Sequence, residues 1–319
     1  MFNKYVFYCS INLFMIMHLI NNLILCLCIL LSVAFYTLLE RKVLGVLQMR
    51  KGPNVVGLWG IIQPLSDALK LLIKENNLPF MSNKFIFISV PIIGLTLSLF
   101  MWILMPSEFS LKSSLLSGIL LFMCLSSLSV FIILLSGWSS NSKYAFLGAL
   151  RAAAQSISYE ISMALVLLFP ILAISSLSWY SALKFLYPTA MLFLSVLLIW
   201  FVTALAETNR APFDFAEGES ELVSGFNIEY GGGLFVLLFL SEYSNILFLS
   251  MLTSIWFISF NLTFWFYTLI CLITAFFFLL VRGVYPRHRY DLLMMLCWKV
   301  FLPISLCKLM FMSGLLMLC

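Results

Sequence analysis

Eight apolar runs, each close to the length of a membrane span, recur along this chain at about 19–39, 85–105, 115–136, 157–177, 189–206, 234–253, 263–281 and 300–318. A helix needs about 20 mostly apolar residues to cross ~30 Å of hydrocarbon. The runs therefore predict an all-α polytopic membrane protein, with residues 1–319 forming a single helical domain. Composition closes the alternatives. Only 10% of residues are charged and 63% are hydrophobic, whereas a soluble domain is about 25% charged. That charge is too sparse for a globular surface or a disordered chain. A membrane β-barrel would keep alternate residues polar. No internal repeat is visible.

The first run is longer than a signal-peptide core and ends in Glu40-Arg41-Lys42, so it reads as a retained span and not as a cleaved signal or transit peptide. The cations report sidedness. Odd-numbered connections hold Arg41, Lys42, Arg50, Lys51, Lys70, Lys74, Lys84, Lys143, Arg151, Arg210, Arg282, Arg287, Arg289 and Lys299. Even-numbered connections and the N-terminal segment hold only Lys4, Lys112 and Lys184, while Lys308 falls inside the last run. This asymmetry puts the odd connections on the cytoplasm-like side and both termini opposite. The segment 58–73 is apolar but includes Gln63, Pro64, Asp67 and Lys70, and Leu58, Ile61, Leu65, Leu69 and Leu72 fall near helical spacing. It reads as an amphipathic helix lying in the interface. Counting it as a span would break the alternation of the cations.

Several function classes fall away. The net charge of +5 is scattered along the chain, not gathered into the basic face of a nucleic-acid binder. Eight cysteines form no pair of CxxC motifs, and two histidines exclude a multi-His centre, so no metal site is expected. GxxxxGK[ST] and GxGxxG are absent. No Ser/His/Asp set stands out, so the chain carries no visible nucleophile or redox cofactor of its own.

In so apolar a chain, the placement of acids is informative. Six of the 13 acids (Glu207, Asp214, Glu217, Glu219, Glu221 and Glu229) fall within one 23-residue segment that contains a single base, Arg210. Two readings stay open there. One is a solvated acidic loop. The other is a proton-handling cluster, because neighbouring carboxylates raise each other's pKa. The interleaved Pro212, Phe213, Phe215, Leu222, Val223 and Phe226 weigh against a uniformly solvated loop. Glu160 and Glu242 lie within spans four and six. Intramembrane acids face a bundle interior or a hydrated path, the alternative being a structural ion pair. The connection from Glu40 to Lys84 joins basic residues to Gly45, Gly52, Pro53, Asn54 and Gly57. That basic, glycine-rich turn beside a surface helix could admit a lipid-like ligand. Arg282, Arg287, Arg289 and Asp291 form a third polar group on the same side.

Four segments carry a family resemblance: ERKVLGVLQMRKGPNVVG (40–57), GWSSNSKYAFLGALRAAAQSISYE (137–160), AETNRAPFDFAEGESELVSGFNIEY (206–230) and RGVYPRHRYDLLM (282–294). They closely resemble subunit 1 of the membrane arm of respiratory complex I, the proton-pumping NADH–ubiquinone oxidoreductase, over nearly the whole chain from about residue 19. The Phe-, Leu- and Met-rich composition resembles the mitochondrially encoded form, in the inner membrane, with the bacterial plasma membrane as the alternative. The resemblance implies a ubiquinone-access tunnel between the first span, the surface helix and the sixth span, with ubiquinone as substrate. Flavin, NADH and iron–sulfur clusters would sit on other complex I subunits. Peripheral-arm subunits, small membrane-arm subunits and phospholipids would be its partners.

By motif position, the resemblance places Glu40, Arg41, Arg50, Asp67, Arg210 and Arg282 at the quinone tunnel, with Arg210 and Asp214 ordering the acidic loop. It makes Glu160, Glu207 and Glu242 buried proton carriers, which Glu217, Glu219, Glu221 and Glu229 link to the quinone cavity. Two departures stand out. Leu292 occupies a position where the family usually has Gln, and about 16 extra residues precede the first motif. A membrane subunit of a hydrogenase complex and an autonomous ion transporter are the competing readings.

Overall fold

A computed structural model of the chain describes residues 2–105, 117–214, 229–258 and 264–318. They form α1 (Phe2–Leu47), α2 (Gln63–Ile73), α3 (Lys84–Trp102), α4 (Gly118–Ser139), α5 (Lys143–Ile174), α6 (Trp179–Lys184), α7 (Thr189–Leu192), α8 (Leu194–Glu207), α9 (Gly232–Thr253), α10 (Phe264–Val284), α11 (Tyr290–Leu296) and α12 (Leu302–Leu318). A 3₁₀ turn covers Leu58–Gly60, and π turns at Ser254–Ile258 and Cys297–Phe301 extend α9 and join α11 to α12. No strand occurs among the described residues. Among the described residues seven helices are long and apolar enough to cross a membrane, and α8 is a shorter apolar one.

Helix ends differ from the apolar runs for physical reasons. The fourth run predicts a helix from 157, but α5 begins at Lys143. Its early turns carry Arg151, Gln155 and Ser156, which lower the hydropathy; Gln155 and Ser156 are buried in protein instead of facing lipid. At ~1.5 Å per residue such a helix is about 48 Å long and outruns the hydrocarbon layer. The fifth run predicts one helix over 189–206. It is broken at Phe193 (φ −142°, ψ 70°) into α7 and α8. The surface segment starts with a 3₁₀ turn, and its α-helix proper begins at Gln63 with Pro64 in the first turn, where proline needs no N–H partner.

Lipid is as apolar as leucine, so small residues and polar contacts must hold such helices together. Between α4 and α5 the contact is tight. A Cβ on Gly137 would lie 2.3 Å from the Ala149 Cβ, and Ala145, Ala149 and Ala152 are fully buried. Serines are spent economically: Ser136, Ser162, Ser241 and Ser244 each donate to the carbonyl three residues back in their own helix, so burial leaves no hydroxyl proton unsatisfied. Aromatic packing closes the far end. Trp179 of α6 meets Trp256 edge-on at 6.2 Å and Phe248 at 5.8 Å.

The odd connections meet at one end of the bundle. The Asn83 amide donates to the Ser139 carbonyl at 3.0 Å, Asn76 accepts from the Gly233 amide at 2.9 Å, and the His288 amide donates to Pro212 at 3.0 Å. At the other end Thr189, after the fourth span, donates to the Trp256 carbonyl at 2.5 Å. Because the connections before and after α8 lie at opposite ends, α8 counts as a crossing beside the seven longer helices.

Candidate functional site

Three arrangements bring candidate residues together, two at the end where the odd connections meet and a third deeper among the spans. The first centres on Glu40, on the part of α1 that continues past the apolar run. Glu40 is only 4% exposed. Its Oε1 pairs with Arg282 of α10 and lies 3.7 Å from Arg210 Nη1, while Tyr243 of α9 donates its hydroxyl to Oε2 at 2.5 Å. The Arg210 guanidinium also lies over the Tyr243 ring at 4.1 Å. One carboxylate is thus shared by two guanidiniums and a phenol. A small cavity of about 20 Å³ opens beside this cluster, lined by Tyr36, Leu205, Thr208 and Ile246 among others.

The second is an apolar cavity of about 180 Å³ between α1, α2 and α9. Val33 and Ala34 of α1, Ala68 and Leu71 of α2, and Phe235 and Phe239 of α9 face it. Arg41 and Asp67, joined at 2.5 Å, supply its polar side, and Gln63 donates to the other Asp67 oxygen at 2.9 Å. Both partners are partly exposed, so the pair is a water-screened rim. Backbone geometry sets the turn leading to α2. Gly60 has φ +72°, and a Cβ there would lie 2.2 Å from the Pro53 carbonyl oxygen.

The third arrangement joins the carboxylates. A cavity of about 70 Å³ between α3, α4 and α9 is lined by Glu207, Glu242, Asn209 and Asn245. A neighbouring one of about 30 Å³ shares Glu207, Thr208, Ser129 and Asn245 and reaches Ser126. Ser126 donates to Glu160 Oε1 at 3.1 Å. Buried acceptor atoms Glu207 Oε2, Asn209 Oδ1 and Asn245 Oδ1 have no protein partner. Each cavity can hold at least one water, which needs about 10–15 Å³ by this measure.

The segment between α8 and the acidic loop is held from two sides. Gln155, fully buried on α5, donates both Nε2 protons, to the Ala206 carbonyl at 2.9 Å and the Phe213 carbonyl at 3.0 Å. Its amide cannot be turned over, because Oε1 would then face two carbonyl oxygens. Arg287 pairs with buried Asp214 at 3.3 Å, and the His288 ring lies 5.5 Å from Phe213. At the foot of α9, Tyr230 stacks on Phe87 at 4.1 Å. Burial pushes its phenol above the ordinary range, offset in part by Ser139.

The structure therefore brings Glu40, Arg210 and Arg282 together, pairs Arg41 with Asp67, and gathers Glu160, Glu207 and Glu242 around adjoining cavities. No ion pair to Glu160 occurs among the described residues. Arg50 is exposed and donates to Gln48 at 2.9 Å, and Glu229 is half-buried; neither lines these cavities. Glu217, Glu219 and Glu221 lie outside the described residues. Leu292 is exposed. Among the described residues no group of three His, Cys, Asp or Glu side chains could hold a metal. Sequence reasoning missed Tyr243, Gln155, Asn245 and Ser126. Tyr243 and Asn245 follow Glu242 within one helical turn, the one signal that pointed to them.

Comparison with known proteins agrees across the chain. The family model described as NADH dehydrogenase matches residues 20–313. NADH-ubiquinone oxidoreductase chain 1 of Aedes aegypti is 51% identical over 303 residues, covering 94% of this chain and 96% of that protein. Its namesake from Heterololigo bleekeri is 50% identical over 303 residues, covering 93% and 96%. That from Salmo salar is 48% identical over 305 residues, covering 92% and 93%. This chain belongs to the NADH dehydrogenase family, among the NADH-ubiquinone oxidoreductase chain 1 proteins of respiratory complex I.

Proposed function

We propose that this core membrane subunit forms the ubiquinone-access chamber of complex I and the first stretch of the proton path that quinone reduction drives. The observation that carries the reading is the adjacency of the two kinds of site. An apolar cavity bounded by α1, α2 and α9 lies on the same two helices, α1 and α9, that hold the Glu40–Tyr243 contact. Beyond that cluster, α9 also carries Glu242 into the carboxylate cavity. The apolar walls suit an isoprenoid tail, and the Arg41–Asp67 rim suits the point where a polar headgroup passes from lipid into protein. Ubiquinone supplies the redox chemistry, with flavin, NADH and iron–sulfur clusters on peripheral-arm subunits. Phospholipids and small membrane-arm subunits cover the exposed apolar faces. The chain works in the mitochondrial inner membrane, with its basic connections in the matrix.

In this reading Arg282, Arg210 and Glu40 hold a charge balance that shifts when the quinone headgroup takes up electrons and protons. Glu207, Glu242 and Glu160 exchange protons through the small cavities beside them. Glu217, Glu219, Glu221 and Glu229 extend the path from the acidic loop, and Arg50 belongs to the basic surface at the chamber mouth. Arg41→Ala is expected to raise the apparent KM for long-chain quinone several-fold more than for short-chain quinone, measured in the assembled enzyme. An equal effect on both would show that Arg41 only anchors α2.

A further inference from the structure

Thr208 is the one residue common to three small cavities among the described residues. It lines the cavity beside Glu40, Arg210 and Arg282, the cavity holding Glu242, and the cavity reaching Ser126. The first of these shares no other lining residue with either carboxylate cavity. Thr208 sits immediately after α8, where Gln155 fixes the backbone on both sides by bonding the Ala206 and Phe213 carbonyls. Its side chain is half-buried, and its Oγ1 donates to the Leu205 carbonyl at 3.1 Å, which leaves both oxygen lone pairs able to accept.

We infer that Thr208 is a relay hydroxyl that connects the quinone-side charge cluster to the buried carboxylates. The assignment rests on the proton-path reading above. The relay is a paired transfer. A protonated water on the Glu40 side gives its excess proton to Oγ1 and is left neutral, while the threonine turns its own hydroxyl proton from the Leu205 carbonyl to a water on the Glu207 side, which passes the charge to the Glu207 carboxylate. One O–H bond forms and one breaks at Oγ1, so Thr208 ends neutral and unchanged. Of the other residues lining the quinone-side cavity, Leu205, Ile246, Phe278 and Leu279 carry no exchangeable proton, and Tyr36, which donates its hydroxyl to the Ala275 carbonyl, lines neither carboxylate cavity.

The test compares Thr208→Val, which keeps the shape and removes the hydroxyl, with Thr208→Ser, which keeps the hydroxyl, in the assembled complex in sealed membrane vesicles. Quinone reduction and proton uptake are read together, with Glu207→Gln as the reference. The expected result is a tenfold or greater fall in kcat for Thr208→Val with an unchanged quinone KM, and at most a twofold change for Thr208→Ser. Full turnover of Thr208→Val beside a slow Glu207→Gln would overturn the relay and leave the path standing. Full turnover of both would overturn the path and the relay with it. Equal losses in the Val and Ser variants would show that Thr208 only fills space.

Discussion

Glu40 gathers two guanidiniums and a phenol around one buried carboxylate, and its neighbours differ sharply in what they should tolerate. Replacing it with Gln leaves Arg282 and buried Arg210 without their shared carboxylate. Breaking a buried pair in this way costs about 3–5 kcal/mol. Arg41→Ala removes a pair whose partners are 54% and 33% exposed, worth under about 1 kcal/mol. Thermal denaturation of the assembled complex should show Glu40→Gln lowered well beyond Arg41→Ala; equal shifts would contradict the cluster. Glu40 and Arg282 were singled out through the family resemblance of the motifs that hold them. Tyr243 was not, since its contact with Glu40 joins positions 203 apart in sequence and no periodicity encodes such a pair. Glu242→Gln belongs at this scale too. It should slow coupled quinone reduction while assembly persists, and unchanged pumping stoichiometry and rate would count against a proton role.

Among the elements, the α4–α5 contact is the one that small residues decide. Gly137→Leu would drive a side chain into Ala149 and the Ala145 carbonyl, whereas Gly314→Ala meets nothing within 4 Å. Overpacking of this kind costs about 1–3 kcal/mol. Gly137→Leu should therefore lower the yield of assembled complex, measured on native gels, and Gly314→Ala should not. Hydropathy located the helices because a span must be apolar. It misplaced the start of α5, since Gln155, Ser156 and Ser158 are shielded by protein and not by lipid. It also missed the break at Phe193, which is a backbone turn with no glycine or proline at the break itself.

At the scale of the whole molecule, the cation asymmetry and the meeting of the odd connections at one end carry the proposed orientation. Single cysteines at Glu75 and Arg289 should react with a membrane-impermeant thiol reagent only from the matrix side, and one at Ser175 only from the opposite side; all three positions are exposed. Labelling of all three from one face would contradict the eight-crossing topology. The chamber itself could be placed from sequence only through resemblance, because α1, α2 and α9 meet through contacts far apart along the chain. A density map of the whole complex with a long-chain quinone bound tests the central claim most directly. The chamber reading expects the tail between Phe235, Phe239 and Ala68, with Arg41 at the rim. Quinone bound at a site that contacts none of α1, α2 and α9 would contradict it.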